Sequence, residues 1–160
     1  MKTTHRNAAR AKRQQLPKFW RGSLSQHQQI DCKLIHWDLI DRFVNGTATA
    51  DDLWDWVETG ATYSQMMRLL AQDGTEFTPE ALEAVAEQIG IYESVANRYV
   101  RTGRVAFNGP ELLIARAAAN VFDALVEIAR HGIAEQAAIE SAAMVRRVRV
   151  WAAGEVREAA

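Results

Sequence analysis

Cys32 and His36 are the first residues whose types and spacing could do chemistry. They stand four apart in a segment with helical periodicity, so both side chains could reach one metal ion. A structural zinc site needs four ligands, and the sequence offers no second pair at ligand spacing. The carboxylate-x-x-His pairs of di-iron bundles are also missing from the sequence. We therefore expect no metal and no other cofactor. We interpret Cys32 as a small apolar residue and His36 as a residue of a polar helix face.

Three carboxylates, Asp51, Asp55 and Glu58, fall on one face of a predicted helix that begins at Thr49. Acid–base catalysis by paired carboxylates requires one of them to be desolvated so that its pKa rises, and no pattern here indicates such burial. The sequence also lacks a glycine-rich phosphate loop, a nucleophile elbow and a His-Glu-x-x-His helix. We interpret the three carboxylates as a solvated acidic face and predict that the chain is not an enzyme.

The segment from Thr49 to Leu70 predicts two short helices joined by a tight turn at Gly60, which superficially resembles a helix-turn-helix motif. Trp56 stands four residues before Gly60, where the two helices must approach and a small residue is usual. The second short helix carries only Arg68 as a basic residue, and the acidic helix before it would repel phosphates. A plain helical hairpin is therefore favoured over a DNA-reading motif.

A basic arm, residues 1–29, is the feature that points most directly to binding. Residues 1–30 contain 7 Lys or Arg residues and no acid, whereas residues 31–100 contain 4 basic and 13 acidic residues. The cations suit contacts to phosphates and an aromatic residue suits stacking on a base, but the same composition suits an acidic protein surface. It also overlaps that of a mitochondrial transit peptide, which is rich in Arg and poor in acids. We predict that the arm contacts a partner through Lys2, Arg6, Arg10, Lys12, Arg13, Lys18, Trp20 and Arg21.

The elements that must position these residues are helices. The chain has 160 residues, 48% hydrophobic and 24% charged, which is typical of a globular domain. It has no apolar run near the ~18 residues of a membrane span, no visible secretory signal and a single cysteine. We therefore predict a cytoplasmic protein without membrane contact.

Apolar residues recur at three- and four-residue spacing from Ile30 onward, which predicts an all-α fold. We expect a five-helix bundle domain over residues 30–160 behind the basic arm.

Two long helices, about 79–102 and 110–131, are expected to pack antiparallel as the spine of this bundle. The run Thr78-Pro79-Glu80 supplies a cap, a first-turn proline and an acid for the first of them, and Gly103 ends it. The second begins at Pro110 and is expected to end at Gly132.

The last helix is expected from about Ile133 to Trp151. Its cluster Arg146, Arg147 and Arg149 is attributed to the favourable position of cations in the last turns of a helix.

Trp54 and Trp56 stand two apart and cannot share a helical face. One of them is therefore expected in the core and the other at a more exposed position, since Trp is enriched at interfaces.

The runs Arg98-Tyr99, Thr102-Gly103-Arg104 and Gly109-Pro110-Glu111-Leu112 resemble a family of small, uncharacterised all-helical proteins of proteobacterial genomes and their prophages. The likeness extends from about Leu34 to Phe122, and the basic arm and the pair Trp54 and Trp56 are not part of the family pattern. The resemblance implies no activity. It implies a context only, the cytoplasm of a bacterium and a gene of a mobile element.

These observations favour a non-enzymatic adaptor or accessory protein, of phage or mobile-element type, that binds a macromolecular partner through its basic arm. The alternative is a nucleic-acid-binding protein in which the arm contacts phosphates and Trp20 stacks on a base. Homo-oligomerisation is compatible with either function, and no heptad pattern is long enough to predict a number of subunits.

Overall fold

The computed structural model describes residues 22–158, and the side chains of residues 22–148. The described chain consists of helices, without a β-strand apart from one isolated bridge between Ser23 and Arg130. The predicted all-α class is thereby confirmed for the described residues, which form five helices. The helices are α1 Gln26–Asn45, α2 Ala50–Gln72, α3 Pro79–Thr102, α4 Gly109–Ile128 and α5 His131–Glu158.

Side-chain caps begin four of these helices. Ser25, Thr49, Thr78 and Asn108 each accept a hydrogen bond from a backbone N–H of the first turn, which satisfies a donor without an intrahelical partner. The predicted starts at Thr49 and Thr78 are confirmed. The predicted helix end at Gly103 is confirmed too, and Gly46 ends α1 in the same way, since both glycines adopt a φ of 69° in the left-handed region.

Helix α2 corrects the predicted turn at Gly60, because the chain from Ala50 to Gln72 is one continuous helix. Gly60 is buried against α3, where a Cβ atom would lie 1.8 Å from Oε1 of Gln88. The glycine therefore marks a close helix crossing and not a turn. Thr62 does not cap a new helix either, because its hydroxyl donates to the carbonyl of Glu58 at 2.8 Å, one turn back.

Three further helix boundaries differ from the prediction. Helix α1 begins at Gln26 and not at Ile30, because Ser25 forms the cap. Helix α4 ends at Ile128, since the extended backbone of Ala129 breaks it before Gly132 is reached. Helix α5 begins at His131 and runs to Glu158, so the cluster Arg146, Arg147 and Arg149 does not lie in its last turns.

The core consists of two clusters, and both include residues of α2, α3 and α4. One of them also includes residues of α1 and contains Phe43 and Trp56; Phe107 from the α3–α4 connector packs against it, with its ring stacked on Phe43 at 4.4 Å between centroids. The other lies under α2 and α5 and centres on Tyr63 and Phe122, whose rings stack at 4.1 Å. The fully buried alanines of α4, Ala115, Ala118 and Ala119, let neighbouring helices approach closely.

The connector between α3 and α4 is held by an ion pair between the partly buried Arg98 and the buried Glu111. Both terminal nitrogens of Arg98 donate to the carboxylate of Glu111, at 2.6 and 2.9 Å, and one of them also donates to the carbonyl of Ala106. Glu111 further accepts from the hydroxyl of Ser94 and the backbone N–H of Asn108. Burial alone would raise the pKa of Glu111, but these hydrogen bonds hold it below its ordinary value. Arg98 and Glu111 therefore hold the end of α3 and the start of α4 to this connector.

The two tryptophans divide as expected for residues on different faces. Trp56 is 1% exposed and donates from Nε1 to the carbonyl of Gln88, whereas Trp54 is half-buried and packs on the ring of Tyr92. None of the helices within residues 22–158 combines the length and the apolar character that crossing a membrane requires.

Candidate binding groove

An open groove of about 480 Å³ lies between α1, α2 and α5. Four of the lining side chains are short, which leaves the space unfilled: Thr59 and Thr62 from α2, and Ala134 and Ala138 from α5. We call this feature the binding groove, and it is the candidate functional site within the described part of the chain.

The floor of the binding groove is apolar. Leu39, Tyr63 and Met66 are each no more than 6% exposed and form its base. Ile35 lines the edge and keeps 60% of its surface exposed, although it belongs to the predicted apolar stripe of α1. A branched apolar side chain at the mouth of a groove gains free energy when a partner covers it.

The rim of the binding groove consists of Asp38, Arg42, Asp55 and Glu58, so three carboxylates face one guanidinium. Arg42 pairs with Asp38 one turn away and with Asp52 at the start of α2, at 2.8 Å. Burial alone would raise the pKa of Asp52, but hydrogen bonds from Thr49 and Arg42 lower it, so Asp52 stays ionised. Arg42, the only cation among the described residues of the rim, is thus held by two carboxylates, and the described rim is negative.

A buried polar network supports this floor from below. Asp123 of α4 accepts from His36 Nε2 at 2.9 Å and from Trp37 Nε1 at 3.2 Å, and Tyr63 Oη lies 3.2 Å from His36 Nδ1. The network connects α1, α2 and α4. The interpretation of His36 as a polar-face residue is wrong, because its side chain is 0% exposed and packs edge-on against Tyr63 and Phe122.

The protonation states of this network follow from burial. Desolvation lowers the pKa of His36 against the opposing effect of Asp123, and it raises the pKa of the Tyr63 hydroxyl well above its ordinary value. A neutral His36 therefore donates from Nε2 to Asp123 and accepts the Tyr63 hydroxyl at Nδ1. Both ring nitrogens are engaged, and the arrangement holds three helices in register.

Cys32 is half-buried and lines the groove, whereas the imidazole of His36 hydrogen-bonds to Asp123. Burial, and secondarily the charge of Asp31, raise the pKa of its thiol, which disfavours the nucleophilic thiolate. No group of three or more His, Cys, Asp or Glu residues suited to a metal ion occurs among the described residues.

The eight residues predicted to contact a partner all lie outside the described residues: Lys2, Arg6, Arg10, Lys12, Arg13, Lys18, Trp20 and Arg21. The point where they join the body is described. The carbonyl of Gly22 accepts from the backbone N–H of His131 at 2.9 Å, and Leu24 is buried in the core. The chain therefore enters the body at the first turn of α5, the helix that contributes Ala134 and Ala138 to the groove.

Sequence reasoning placed Asp51, Asp55 and Glu58 on one solvated face, but only Asp55 and Glu58 line the groove. The groove itself was missed. The pairs Thr59 with Thr62 and Ala134 with Ala138, small residues at helical spacing, are the signal that could have indicated it.

Comparison with known proteins identifies no relative: no family model matches the chain, and no curated protein or solved structure shows significant similarity to it.

Proposed function

We propose that this protein is a non-enzymatic adaptor or accessory protein that binds a macromolecular partner through its basic arm. The observation that carries the proposal is the separation of charge along the chain. Residues 1–30 contain 7 cations and no acid, whereas residues 31–100 carry 13 acids against 4 basic residues. A cationic arm is attracted to anionic partners, whereas the acidic body repels them, so the arm is the part of the chain that makes the contact.

The body supports this function as a scaffold. The buried polar residues His36, Gln88 and Glu111 hydrogen-bond to other parts of the chain and hold helices together. In the proposed arrangement α3 and α4 run antiparallel as the spine, joined by the connector that Arg98 and Glu111 hold. The resemblance further supports a bacterial cytoplasmic protein of phage or mobile-element origin.

Affinity isolation with quantified stoichiometry tests the proposal. The full chain is compared with a variant in which Lys12, Arg13, Lys18 and Arg21 are replaced by Gln, and with the control variant Arg146→Gln/Arg147→Gln, whose cations lie on α5. We expect a stable stoichiometric complex that the arm variant loses and the control retains. A complex that both variants retain equally would contradict the proposal.

Trp20 favours a second candidate function, the binding of nucleic acid. An aromatic side chain between Lys18 and Arg21 suits stacking on an unpaired base while the cations contact phosphates. If the arm neutralises ~5 phosphates, the logarithm of the affinity falls with the logarithm of the salt concentration with a slope near −4. Replacing Trp20 by Ala should weaken binding to a single strand by about 1–3 kcal/mol.

Anisotropy of a labelled mixed-sequence oligonucleotide across a salt series measures both quantities. The absence of binding at low salt would exclude this second function and leave a protein as the partner of the arm.

A further inference from the structure

We propose that the cationic segment of the basic arm, residues 1–21, docks in the binding groove of its own chain. This inference goes beyond the proposed function, because it assigns an occupant to the groove when no partner is bound. Three observations support it: the segment enters the body beside the groove, its side chains complement those of the groove, and it is long enough to fill the groove.

The entry point lies beside the groove. Backbone contacts fix the end of the segment at the start of α5, because Gly22 bonds to His131 and Ser23 bridges to Arg130. Ala134, which lines the groove, stands on the same helix less than one turn beyond His131, an axial rise of ~4.5 Å. Arg21 is therefore the first residue of a segment that begins next to the groove, and no spacer is needed.

The chemistry of the segment matches that of the groove. Residues 16–21 combine apolar and cationic side chains, with Leu16, Phe19 and Trp20 apolar and Lys18 and Arg21 basic. The groove offers an apolar floor with an exposed isoleucine at its edge and a rim with a majority of carboxylates. Apolar side chains on the floor and cations on the rim would bury Ile35 and pair opposite charges at once.

The length is sufficient. Along α1 the groove extends from Cys32 to Arg42, which is about 15 Å at 1.5 Å per residue. Five extended residues span about 17 Å, so only part of the segment is needed to fill it. Because the segment is tethered at Gly22, its effective concentration at the groove is on the order of millimolar. Even a weak contact between the segment and its own groove is then populated when the protein is at micromolar concentration, where the segment of a second chain would not displace it.

A disulfide test uses Cys32, the single cysteine of the chain and a lining residue of the groove. The variants Pro17→Cys and Phe19→Cys place a second thiol at two positions within the five residues that the groove can hold, and they leave the cations of the segment unchanged. Oxidation of the full chain at low salt should give an intramolecular disulfide, seen as a monomer with faster mobility on a non-reducing gel. The same reaction is followed in 1 M salt, where we expect it to slow.

Reversing the charge of the rim distinguishes docking of the segment in the groove from random collision of the two thiols, because only docking depends on the rim carboxylates. The variant Asp38→Lys/Glu58→Lys should slow the disulfide about tenfold, as expected for the loss of two partly exposed ion pairs. Arg42 keeps Asp52 as a partner in this variant. The matched control Glu80→Lys/Glu83→Lys changes the same net charge on exposed positions of α3 and should not alter the rate.

Trypsin cleavage after Lys18 and Arg21, measured in the unmodified chain, gives a second readout. It should be faster in the rim variant than in the wild type or the control. Equal rates of disulfide formation and cleavage in all three proteins would overturn the proposal, as would a disulfide found only between two chains. These assays contain no partner, so a failure here is distinguishable from a failure of the proposed function.

Discussion

Replacing Gly60 by alanine is expected to destabilise the protein, although alanine is the better helix former. Gly60 lies inside α2 and is not among the glycines with positive φ. An alanine Cβ would stand 1.8 Å from Oε1 and 2.7 Å from Cδ of Gln88, distances that require the neighbour to move. Gln88 is 0% exposed and is held by two hydrogen bonds. Its side-chain Nε2 donates to the backbone carbonyl of Trp56 at 2.9 Å, and its backbone carbonyl accepts from Nε1 of Trp56.

The magnitude follows from opposing effects. Helix propensity favours alanine by about 1 kcal/mol, whereas overpacking a buried contact costs about 1–3 kcal/mol. Displacing the Gln88 amide also breaks a buried hydrogen bond and leaves its partner unsatisfied, at a further cost of about 1–3 kcal/mol. We expect Gly60→Ala to lower the free energy of unfolding by about 1–5 kcal/mol, which corresponds to a Tm roughly 2–20 °C lower in a chain of this size.

Gly90 provides the matched control, because it lies in α3 and a Cβ there meets nothing within 4 Å. Gly90→Ala should stabilise the protein by about 0.5–1 kcal/mol. Urea denaturation followed by circular dichroism measures both variants. In a Gln88→Ala background the cost of Gly60→Ala should shrink, since the closest clash is gone and only Cγ1 of Ile89, at 2.8 Å, remains in the way. An unchanged cost in that background, or a Gly60→Ala variant more stable than the wild type, would refute the reasoning.

Three further predictions concern the buried ionisable groups and the rim. Because burial places the pKa of His36 below its ordinary value of 6.5, the unfolded chain binds the proton more readily, so stability should fall as the pH drops from 6.5 toward 5. His36→Gln should flatten this fall in urea midpoints measured across that range, and an unchanged pH dependence would contradict it. Glu111→Gln leaves the partly buried Arg98 without its counter-charge and should lower the free energy of unfolding by about 1–2 kcal/mol in urea titrations, while no measurable change would show that the pair does not hold the connector. If the cationic segment occupies the groove, Asp38→Lys/Glu58→Lys should release it and tighten binding to heparin several-fold at low salt, whereas Glu80→Lys/Glu83→Lys should tighten it much less.

The helix starts and ends were predictable where a local interaction sets them. Thr49, Thr78, Gly46 and Gly103 act within one turn of their own position, so their residue types carry the information. Gly60 was misread because a glycine serves equally in a turn and at a close helix crossing. Only the position of Gln88 on another helix decides between the two.

His36 and the binding groove were not predictable for a related reason. Leu34 and Ile35 widened the apolar stripe of α1, but the core contacts the face that carries His36, Leu39 and Phe43. A buried histidine at that position depends on Asp123 and Tyr63, which lie 87 and 27 residues away along the chain. The groove likewise depends on the mutual placement of three helices, and no single segment specifies that.

The central claim, that the basic arm and not the body contacts anionic partners, is tested most directly by elution from immobilised heparin. Three proteins are compared: the wild type, the variant with Gln at positions 12, 13, 18 and 21, and Arg146→Gln/Arg147→Gln. Removing four arm cations should lower the dependence of log affinity on log salt by about 3–4, so the arm variant should elute at much lower salt than the wild type. The α5 variant should elute close to the wild type. The reverse order, with the α5 variant weakened and the arm variant unchanged, would contradict the account.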